Sequence, residues 1–303
     1  MSFFSRLVLG LAQAGPVRKL ITTTRPGMAL ARRFVAGDTL DQAVEVSQML
    51  NGAGFQVSLD LLGEEVSDVA TASAATEEYL ACLDRIRVDG LDANISVKPT
   101  QLGLAIDERV AFANVSRLAV EAAAVGTSVT VDMEDSRYTE ATVRMYERAQ
   151  AEHGNLGIAL QSCLRRTPAD LDRLIPLGGH IRLCKGAYVE PEAVALQART
   201  EIDRAYADQL HKLMAAAGVK PAIATHDQTL SDLGASLAAS RSAPFEFQML
   251  YGVRNDMQRQ ILSNGHPLRI YLPFGSEWYP YLTRRLAERP ANLWFFIRAM
   301  FGR

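Results

Sequence analysis

The chain is poor in the residues that would place it in a specialised structural class. It has three cysteines among 303 residues (Cys82, Cys163 and Cys184), without CxxC spacing and without a histidine cluster beside them. Such a set argues against a disulfide framework and against a structural zinc site. We therefore predict no metal site and expect three small buried thiols in a reducing compartment.

An excess of charge of one sign is also lacking, since 32 basic residues stand against 34 acidic ones. We expect no general attraction to nucleic acid, and a small-molecule partner is favoured. The sequence has no apolar stretch of the roughly 18 residues that a membrane-spanning helix needs. The first residues, MSFFSRLVLGLAQAG, resemble a signal peptide, but the apolar run at 7–11 is too short. We predict a cytoplasmic protein.

Eight short apolar or β-branched runs recur along the chain, and helical patterns alternate with them. The runs are 57–63, 94–100, 128–134, 156–162, 180–186, 221–227, 245–252 and 268–274. Two of the helical patterns, 108–126 and 203–218, end at Gly126 and Gly218, which we predict as helix C-caps. The alternation predicts a parallel sheet, and eight units favour a closed (β/α)8 barrel over an open doubly wound sheet.

The residues before the first strand predict an N-terminal helical extension over 1–55, with the barrel domain over 56–303. Segment 38–54 has a helical pattern. Asp38 or Thr39 can serve as its N-cap, and Gly52 or Gly54 can end it.

Polar side chains collect near the carboxyl ends of the predicted strands, which is the end where barrels of this type carry their chemistry. They are Lys98, Asp132, Glu134, Gln161, Arg182, Lys185, Thr225, His226, Asp227 and Tyr271. Polar groups on apolar strands are costly unless they are paired or wet. They predict a mouth lined for a polar ligand, and the alternative is a solvated rim with scattered ion pairs.

Two further features indicate what that ligand carries. After the fifth strand, Lys185, Gly186 and Ala187 form a segment whose main chain a ligand could approach closely. In the last helix, Arg284 and Arg285 precede Glu288 by one turn. Glu288 could simply pair with them on a solvated face. Alternatively, the two guanidinium groups lie over the mouth and bind a carboxylate together with Lys98.

Several of these segments resemble the proline dehydrogenase family. They are RLCKGAY (182–188), ATHD (224–227), FEFQMLYG (245–252) and IYLPFG…YLTRRLAERPAN (270–292), with SVKPT (96–100) and VDMED (131–135). The resemblance extends over residues 57–292. It implies a distorted (β/α)8 barrel with non-covalent FAD, which oxidises L-proline to 1-pyrroline-5-carboxylate by hydride transfer to FAD. Electrons then pass to a quinone, and the reaction is the first step of proline catabolism.

The resemblance also implies roles for individual residues. Arg284, Arg285 and Lys98 bind the substrate carboxylate, while Tyr271, Leu250 and Tyr188 line the pocket, with Tyr271 favouring proline over hydroxyproline. Asp132 lies beside the site, where it can pair with Lys98, and Arg182 lies near flavin N5. Further FAD contacts are Met133, Gln161, Lys185, Gly186, Ala187, Thr225, His226 and Glu288. The family's basic segment after the fifth strand is matched less well here, so a phosphate-binding role does not transfer to Arg199.

Other functions remain open at this stage. The protein could oxidise hydroxyproline or another cyclic imino acid, bind proline as a non-catalytic sensor, or reduce a folate as a related flavin barrel. Because a quinone is lipid-soluble, peripheral membrane contact is expected through Phe3, Phe4 and Leu7 or through the aromatic segment 292–303. The alternative for that segment is a helix that caps the barrel.

Overall fold

A computed structural model describes residues 24–288, apart from the side chains of residues 25, 26, 30 and 284–288. Eight parallel strands follow one another in chain order, and β8 pairs with β1 to close the barrel. The strands are β1 Gln56–Leu61, β2 Ala93–Val97, β3 Val129–Val131, β4 Leu156–Gln161, β5 His180–Cys184, β6 Lys220–Ala224, β7 Glu246–Leu250 and β8 Leu268–Phe274. The predicted (β/α)8 barrel is confirmed.

The helices are numbered from the first one described. Two precede the barrel, α1 Arg25–Ala31 and α2 Leu40–Gly52. Those that alternate with the strands are α3 Val69–Val88, α4 Glu108–Val125, α5 Ser136–His153, α6 Thr167–Leu174, α7 Arg199–Ala215, α8 Gln228–Ala238, α9 Asn255–Ser263 and α10 Trp278–Glu288, with a short 3-10 turn at Ile175–Leu177. Among the described residues, no helix combines the length and the apolar character that crossing a membrane requires.

Local sequence signals set several helix ends. Thr39 caps α2 in a capping box with Gln42, and Gly126 ends α4 in the left-handed conformation, as predicted. The prediction for Gly218 was wrong. Helix α7 ends at Ala215, and Ala216 leaves it in an extended conformation, so no residue with positive φ is needed there.

The strands bury apolar side chains on their outer face, under the helices. Val57 and Leu59 of β1, for example, are fully buried in the main core. The alternate positions point into the barrel and are largely polar. Arg182 on β5 donates a hydrogen bond to Ser96 on β2, and these two strands are not neighbours in the barrel. Side chains from separate strands therefore meet in the interior.

At the amino-terminal end of the barrel these interior side chains form one set, the basal network. It consists of Asn94, Thr130, His180, Lys220, Glu246 and Arg269. The Glu246 carboxylate accepts from the guanidinium of Arg269 at 2.8 Å and from Lys220 at 2.5 Å. Burial alone would raise the pKa of Glu246, but the charges of Arg269 and Lys220 hold it well below its usual range.

The basal network closes through neutral groups. Asn94 donates to Thr130 at 3.1 Å, and the Thr130 hydroxyl lies 3.2 Å from Nε2 of His180. Burial lowers the pKa of His180 to about 3, so the ring is neutral at ordinary pH. Gly157 makes room for this ring, since a Cβ at position 157 would lie 2.3 Å from Nδ1 of His180.

The three cysteines are free thiols, with Cys82 and Cys163 buried and Cys184 half-buried. Over residues 24–288 the structure brings together no group of three or more histidine, cysteine or acidic side chains suited to a metal ion.

Candidate active site

The carboxyl-terminal end of the barrel interior holds two buried ion pairs. Nζ of Lys98 lies 2.5 Å from Oδ1 of Asp60, and Arg182 pairs with Asp132. Lys98, which the resemblance offered as one possible partner of Asp132, pairs with Asp60 instead. Asp60 lies on β1 in register with Ser96 of β2, two residues before Lys98, so Lys98 reaches the neighbouring strand.

Asp132 organises the side chains on its side of the mouth. It accepts hydrogen bonds from Ser96 at 2.9 Å, from Arg182, and from the Tyr271 hydroxyl at 2.7 Å. Burial and the negative charge of Asp132 hold the pKa of Tyr271 well above its usual range. The hydroxyl is therefore protonated, and it fixes the direction of the Tyr271 ring.

Arg182 lies at the centre of the mouth with most of its donors engaged. It donates to Gln248 and to Ser96, and its guanidinium carbon is 5.1 Å from the centre of the Tyr271 ring. Nη2 of Arg182 is buried, yet it meets no acceptor among the described residues. A buried donor without a partner costs about 1–3 kcal/mol. This side chain can therefore offer a hydrogen bond to a bound ligand.

Asp60 is similarly incomplete. Burial raises the pKa of its carboxyl group to about 6, against the opposing effect of Lys98. Its Oδ1 accepts from Lys98, whereas its Oδ2 is buried with no donor within the described part of the chain. Asp60 was not among the predicted site residues, although an aspartate inside the apolar run VSLDLLG is a usable signal.

The segment after β5 has a main-chain geometry that requires glycine. Gly186 adopts φ 128°, and a Cβ there would lie 2.3 Å from Sγ of Cys163. Lys185 is paired with Asp203 and lies 3.0 Å from Asp227. Arg199, at the start of α7, is 82% exposed and lies 3.3 Å from Asp227. The basic side chains of Lys185 and Arg199 and the exposed main chain at Gly186 thus lie in the same part of the rim.

His226 and Leu250 connect the ends of β6 and β7. Nε2 of His226 accepts the Leu250 amide hydrogen at 3.0 Å. Leu250 in turn lies in register with Tyr271 of β8. Thr225 is buried and its hydroxyl accepts the Asp227 amide at 3.1 Å. Met133 is buried and Tyr188 is half-buried.

The family model described as proline dehydrogenase matches residues 43–298. The chain belongs to the proline dehydrogenase family. Proline dehydrogenase 1 of Bacillus subtilis subsp. natto is 36% identical over 273 residues, which cover 89% of this chain and 90% of that protein. Proline dehydrogenase of Deinococcus radiodurans is 32% identical over 305 residues, covering 98% and 97%.

Solved structures of larger proteins share the fold. Proline utilization A from Bdellovibrio bacteriovorus, in a form inactivated by N-propargylglycine, matches with a TM-score of 0.83 and 22% identity. The match covers 99% of this chain but only 37% of that one, and at this identity it shows the fold alone. The enzyme from Bradyrhizobium japonicum matches at 26% identity with a TM-score of 0.77, covering 97% and 34%.

Three residues assigned from the family resemblance lie at the end of α10. The helix spans Trp278–Glu288 and thus includes positions 284, 285 and 288. The side chains of Arg284, Arg285 and Glu288 lie outside the described residues, as do residues 1–23 and 289–303 in full.

A second layer of residues positions the rim of this proline dehydrogenase fold; Glu134 and Gln161 were predicted near the strand ends, whereas Thr100 was not singled out. The Glu134 carboxylate accepts from the amide and the hydroxyl of Thr100, at 2.8 and 2.6 Å. Burial raises the pKa of Glu134 to about 7, against the effect of these bonds. Gln161 donates to the Glu134 carbonyl at 2.9 Å and accepts the Ala187 amide at 3.0 Å. The side chain of Gln161 and the amide of Ala187 are thus engaged with each other.

A large cavity of about 760 Å³ lies beside the mouth, between the β1–α3 loop, α3 and the β8–α10 loop. It shares no residue with the predicted substrate and cofactor sets. The described residues that line it include Asp38, Glu64, Glu78 and Glu277, but no basic side chain. A lining of this charge does not suit a carboxylate substrate, so the barrel mouth remains the candidate active site.

Proposed function

We propose that this protein binds FAD at the barrel mouth, oxidises L-proline to 1-pyrroline-5-carboxylate and passes the electrons to a quinone. The observation that carries the proposal is the Arg182 guanidinium, which is buried and oriented by Asp132, Ser96 and Gln248, while its Nη2 meets no acceptor among the side chains that the structure describes. An oriented donor at the mouth suits an acceptor on a bound cofactor.

The residues at the rim fit a flavin nucleotide. Besides the donor of Arg182, Gly186 provides a main-chain surface that no side chain could share, because Cys163 fills the space beneath it. FAD would be held by Met133, Gln161, Arg182, Lys185, Gly186, Ala187, Thr225, His226 and Glu288. When bound, it supplies the two-electron acceptor for the hydride that leaves the ring carbon next to the proline nitrogen.

The charges at the mouth explain why two arginines are needed for the substrate. Lys98 is balanced by Asp60 and Arg182 by Asp132, so these four groups carry no net charge. A carboxylate brought among them needs further positive charge. Arg284 and Arg285 supply it in our proposal, and Lys98 adds a charge-assisted hydrogen bond.

The remaining side chains orient the ring. Tyr271, fixed by Asp132, and Leu250, in register with it, form two walls of the pocket, and Tyr188 forms a third. Holding the reacting carbon in one position converts binding into rate. The substrate ammonium has to lose a proton before the carbon–hydrogen bond breaks, so the rate rises with pH. We assign this proton to no side chain.

Anaerobic mixing of the purified holoprotein with three compounds tests the proposal. L-proline is expected to bleach the flavin absorbance, and trans-4-hydroxy-L-proline to do so more slowly. NADH is expected to leave the absorbance unchanged. Bleaching by hydroxyproline alone would make the protein a hydroxyproline dehydrogenase, and bleaching by NADH would favour a folate-reducing barrel. A yellow protein that no compound bleaches would indicate a sensor.

A variant tests the carboxylate clamp. Arg285→Met is expected to lower kcat/KM for L-proline by an amount equivalent to about 2–5 kcal/mol, because a desolvated carboxylate loses its partner. Arg259→Met on the exposed face of α9 is the matched control. Kinetics of Arg285→Met close to those of the control would contradict the clamp.

We also propose the division into an N-terminal extension, residues 1–55, and a catalytic barrel, residues 56–303. Helices α1 and α2 precede β1, which supports that boundary. We propose cytoplasmic residence as well, with peripheral contact at the inner membrane face because a quinone is lipid-soluble. Flotation of the holoprotein with lipid vesicles tests it.

A further inference from the structure

Leu250 is the last residue of β7 and lies beyond the end of one of its two strand ladders. Pairing between β6 and β7 stops at Ala224 and Gln248. On the other side, Leu250 remains in register with Tyr271, and the Tyr251 amide donates to the Tyr271 carbonyl at 3.0 Å. Strand pairing therefore fixes Leu250 toward β8 but not toward β6.

Two side chains replace the missing strand partner. The Leu250 amide donates to His226, and Nε2 of Gln258 on α9 donates to the Leu250 carbonyl at 3.0 Å. The same nitrogen of Gln258 donates to the Val253 carbonyl at 2.9 Å. Gln258 is 6% exposed, and its two hydrogen bonds are partly buried. Both main-chain polar groups of Leu250 are thus held by side chains.

The turn that follows Leu250 is held from two more directions. Arg254 adopts the left-handed conformation, at φ 54° and ψ 53°, which residues other than glycine rarely adopt. Its guanidinium donates to the His226 carbonyl at 3.3 Å and to Gln228 at 3.1 Å. Gly252 touches the main chain before the barrel, where a Cβ would lie 1.7 Å from the Arg33 carbonyl oxygen. The turn therefore has little freedom to shift.

We propose that Gln258 is a positioning residue that determines ring-size specificity. By holding the Leu250 carbonyl on the side away from β8, it fixes the tilt of the Leu250 wall relative to Tyr271, so that the pocket suits a five-membered ring. This inference rests on the proposed function, in which Leu250 is a wall of the proline pocket. When Gln258 can no longer donate, only His226 holds Leu250 on its β6 side, so the Leu250 wall can tilt outward and the pocket admits a larger ring.

Gln258→Met tests the proposal, because methionine has a similar length and no donor. Gln260→Met is the matched control, since Gln260 is exposed on the same helix. The measurement is kcat/KM for L-proline divided by kcat/KM for L-pipecolate, which has the six-membered ring. This ratio does not depend on the fraction of enzyme that is folded. Where turnover of L-pipecolate is undetectable, the inhibition constant of L-pipecolate against L-proline oxidation is compared between the variants instead.

In Gln258→Met the ratio is expected to fall by about tenfold, the size of discrimination that one ring methylene allows. It is expected to remain at the wild-type value in Gln260→Met. An unchanged ratio in Gln258→Met would overturn the inference. If that variant does not fold, Gln258→Asn, which withdraws the amide by one methylene, is expected to show the same fall. If the wild-type protein oxidises no L-proline, that result contradicts the proposed function and leaves the role of Gln258 unaddressed.

Discussion

The two ends of the barrel interior use the same kinds of side chain in different ways. In the basal network, Glu246 is engaged by Arg269 and Lys220, and no side-chain nitrogen or oxygen of the six residues is left buried without a partner. At the mouth, Asp60 and Arg182 are equally buried, but each keeps one atom without a partner among the described residues.

We interpret this difference as one of role: the charged groups of the basal network stabilise the fold, and those of the mouth can still bind a ligand. Polar groups inside a barrel have to be satisfied, and the basal network satisfies its members within the protein. At the mouth, Nη2 of Arg182 is a donor and Oδ2 of Asp60 is an acceptor that remain without a partner among the described residues, and both atoms are buried. Among the charged side chains of the barrel interior that the structure describes, incomplete pairing therefore distinguishes the mouth from the basal network.

The strongest test of this comparison removes the centre of the basal network. Glu246→Ala leaves Arg269 without its carboxylate partner, and we expect it to lower the free energy of unfolding by about 3–5 kcal/mol. Glu77→Ala is the control, because its pair with Arg117 is 57% and 53% exposed. The control should cost about 0.5 kcal/mol or less. Equal costs in urea denaturation would remove the distinction between the two ends.

At the mouth, Arg182→Lys retains the charge that balances Asp132 but loses the planar arrangement of donors. We expect kcat/KM for L-proline to fall by about 10²–10³-fold, the effect of removing one positioned donor. The free energy of unfolding should fall by less than in Glu246→Ala. Arg109→Lys, at a site that is 90% exposed, is the control for steady-state kinetics. A lower free energy of unfolding with an unchanged kcat/KM would show that Arg182 stabilises the fold and does not act on the substrate or cofactor.

The cofactor rim has its own test. Gly186→Ala meets the Cys163 sulfur and retains an unfavourable φ, and strain of this kind costs about 1–3 kcal/mol. We expect the flavin dissociation constant, measured by fluorescence, to rise by about tenfold or more. Gly90→Ala is the control, since its φ is also positive but its Cβ would meet open space. A flavin affinity unchanged from the control would show that this segment does not touch the cofactor.

The smallest expected effect concerns pH. The pKa of His180 is lowered to about 3 in the folded protein, from 6.5. The unfolded chain therefore binds a proton that the native protein excludes, and stability is lost as pH falls from 6.5 toward 3. From pH 6.5 to 5.5 we expect a loss of about 1 kcal/mol that His180→Gln lacks. The raised pKa values of Asp60 and Glu134 act in the opposite direction in both proteins, so they cancel in the difference.

The barrel could be predicted because each strand buries an apolar outer face, which appears as a short run in the sequence. All eight predicted strands exist, but several end earlier than expected. Lys98 and Asp132 follow β2 and β3 directly, beyond their last strand residues. Side chains at the mouth were recognised because their polarity contrasts with the apolar runs before them.

The pairing inside the barrel could not be predicted in the same way. Lys98 and Asp60 are 38 residues apart, and Arg182 and Asp132 are 50 apart. Which carboxylate meets which cation depends on barrel register and on the reach of each side chain, and neither appears in a local pattern. The role of Gln258 could not be predicted for the same reason, because it depends on the position of Gln258 on α9 beneath the turn after β7.

The contact between Gly252 and the Arg33 carbonyl has a consequence for protein engineering. A methyl group at position 252 would have to displace the main chain that leads into the barrel, because the oxygen occupies that space. The segment around Arg33 also covers the turn that carries Leu250. Removing the residues up to Val35 would therefore uncover this turn, and we expect it to alter substrate choice.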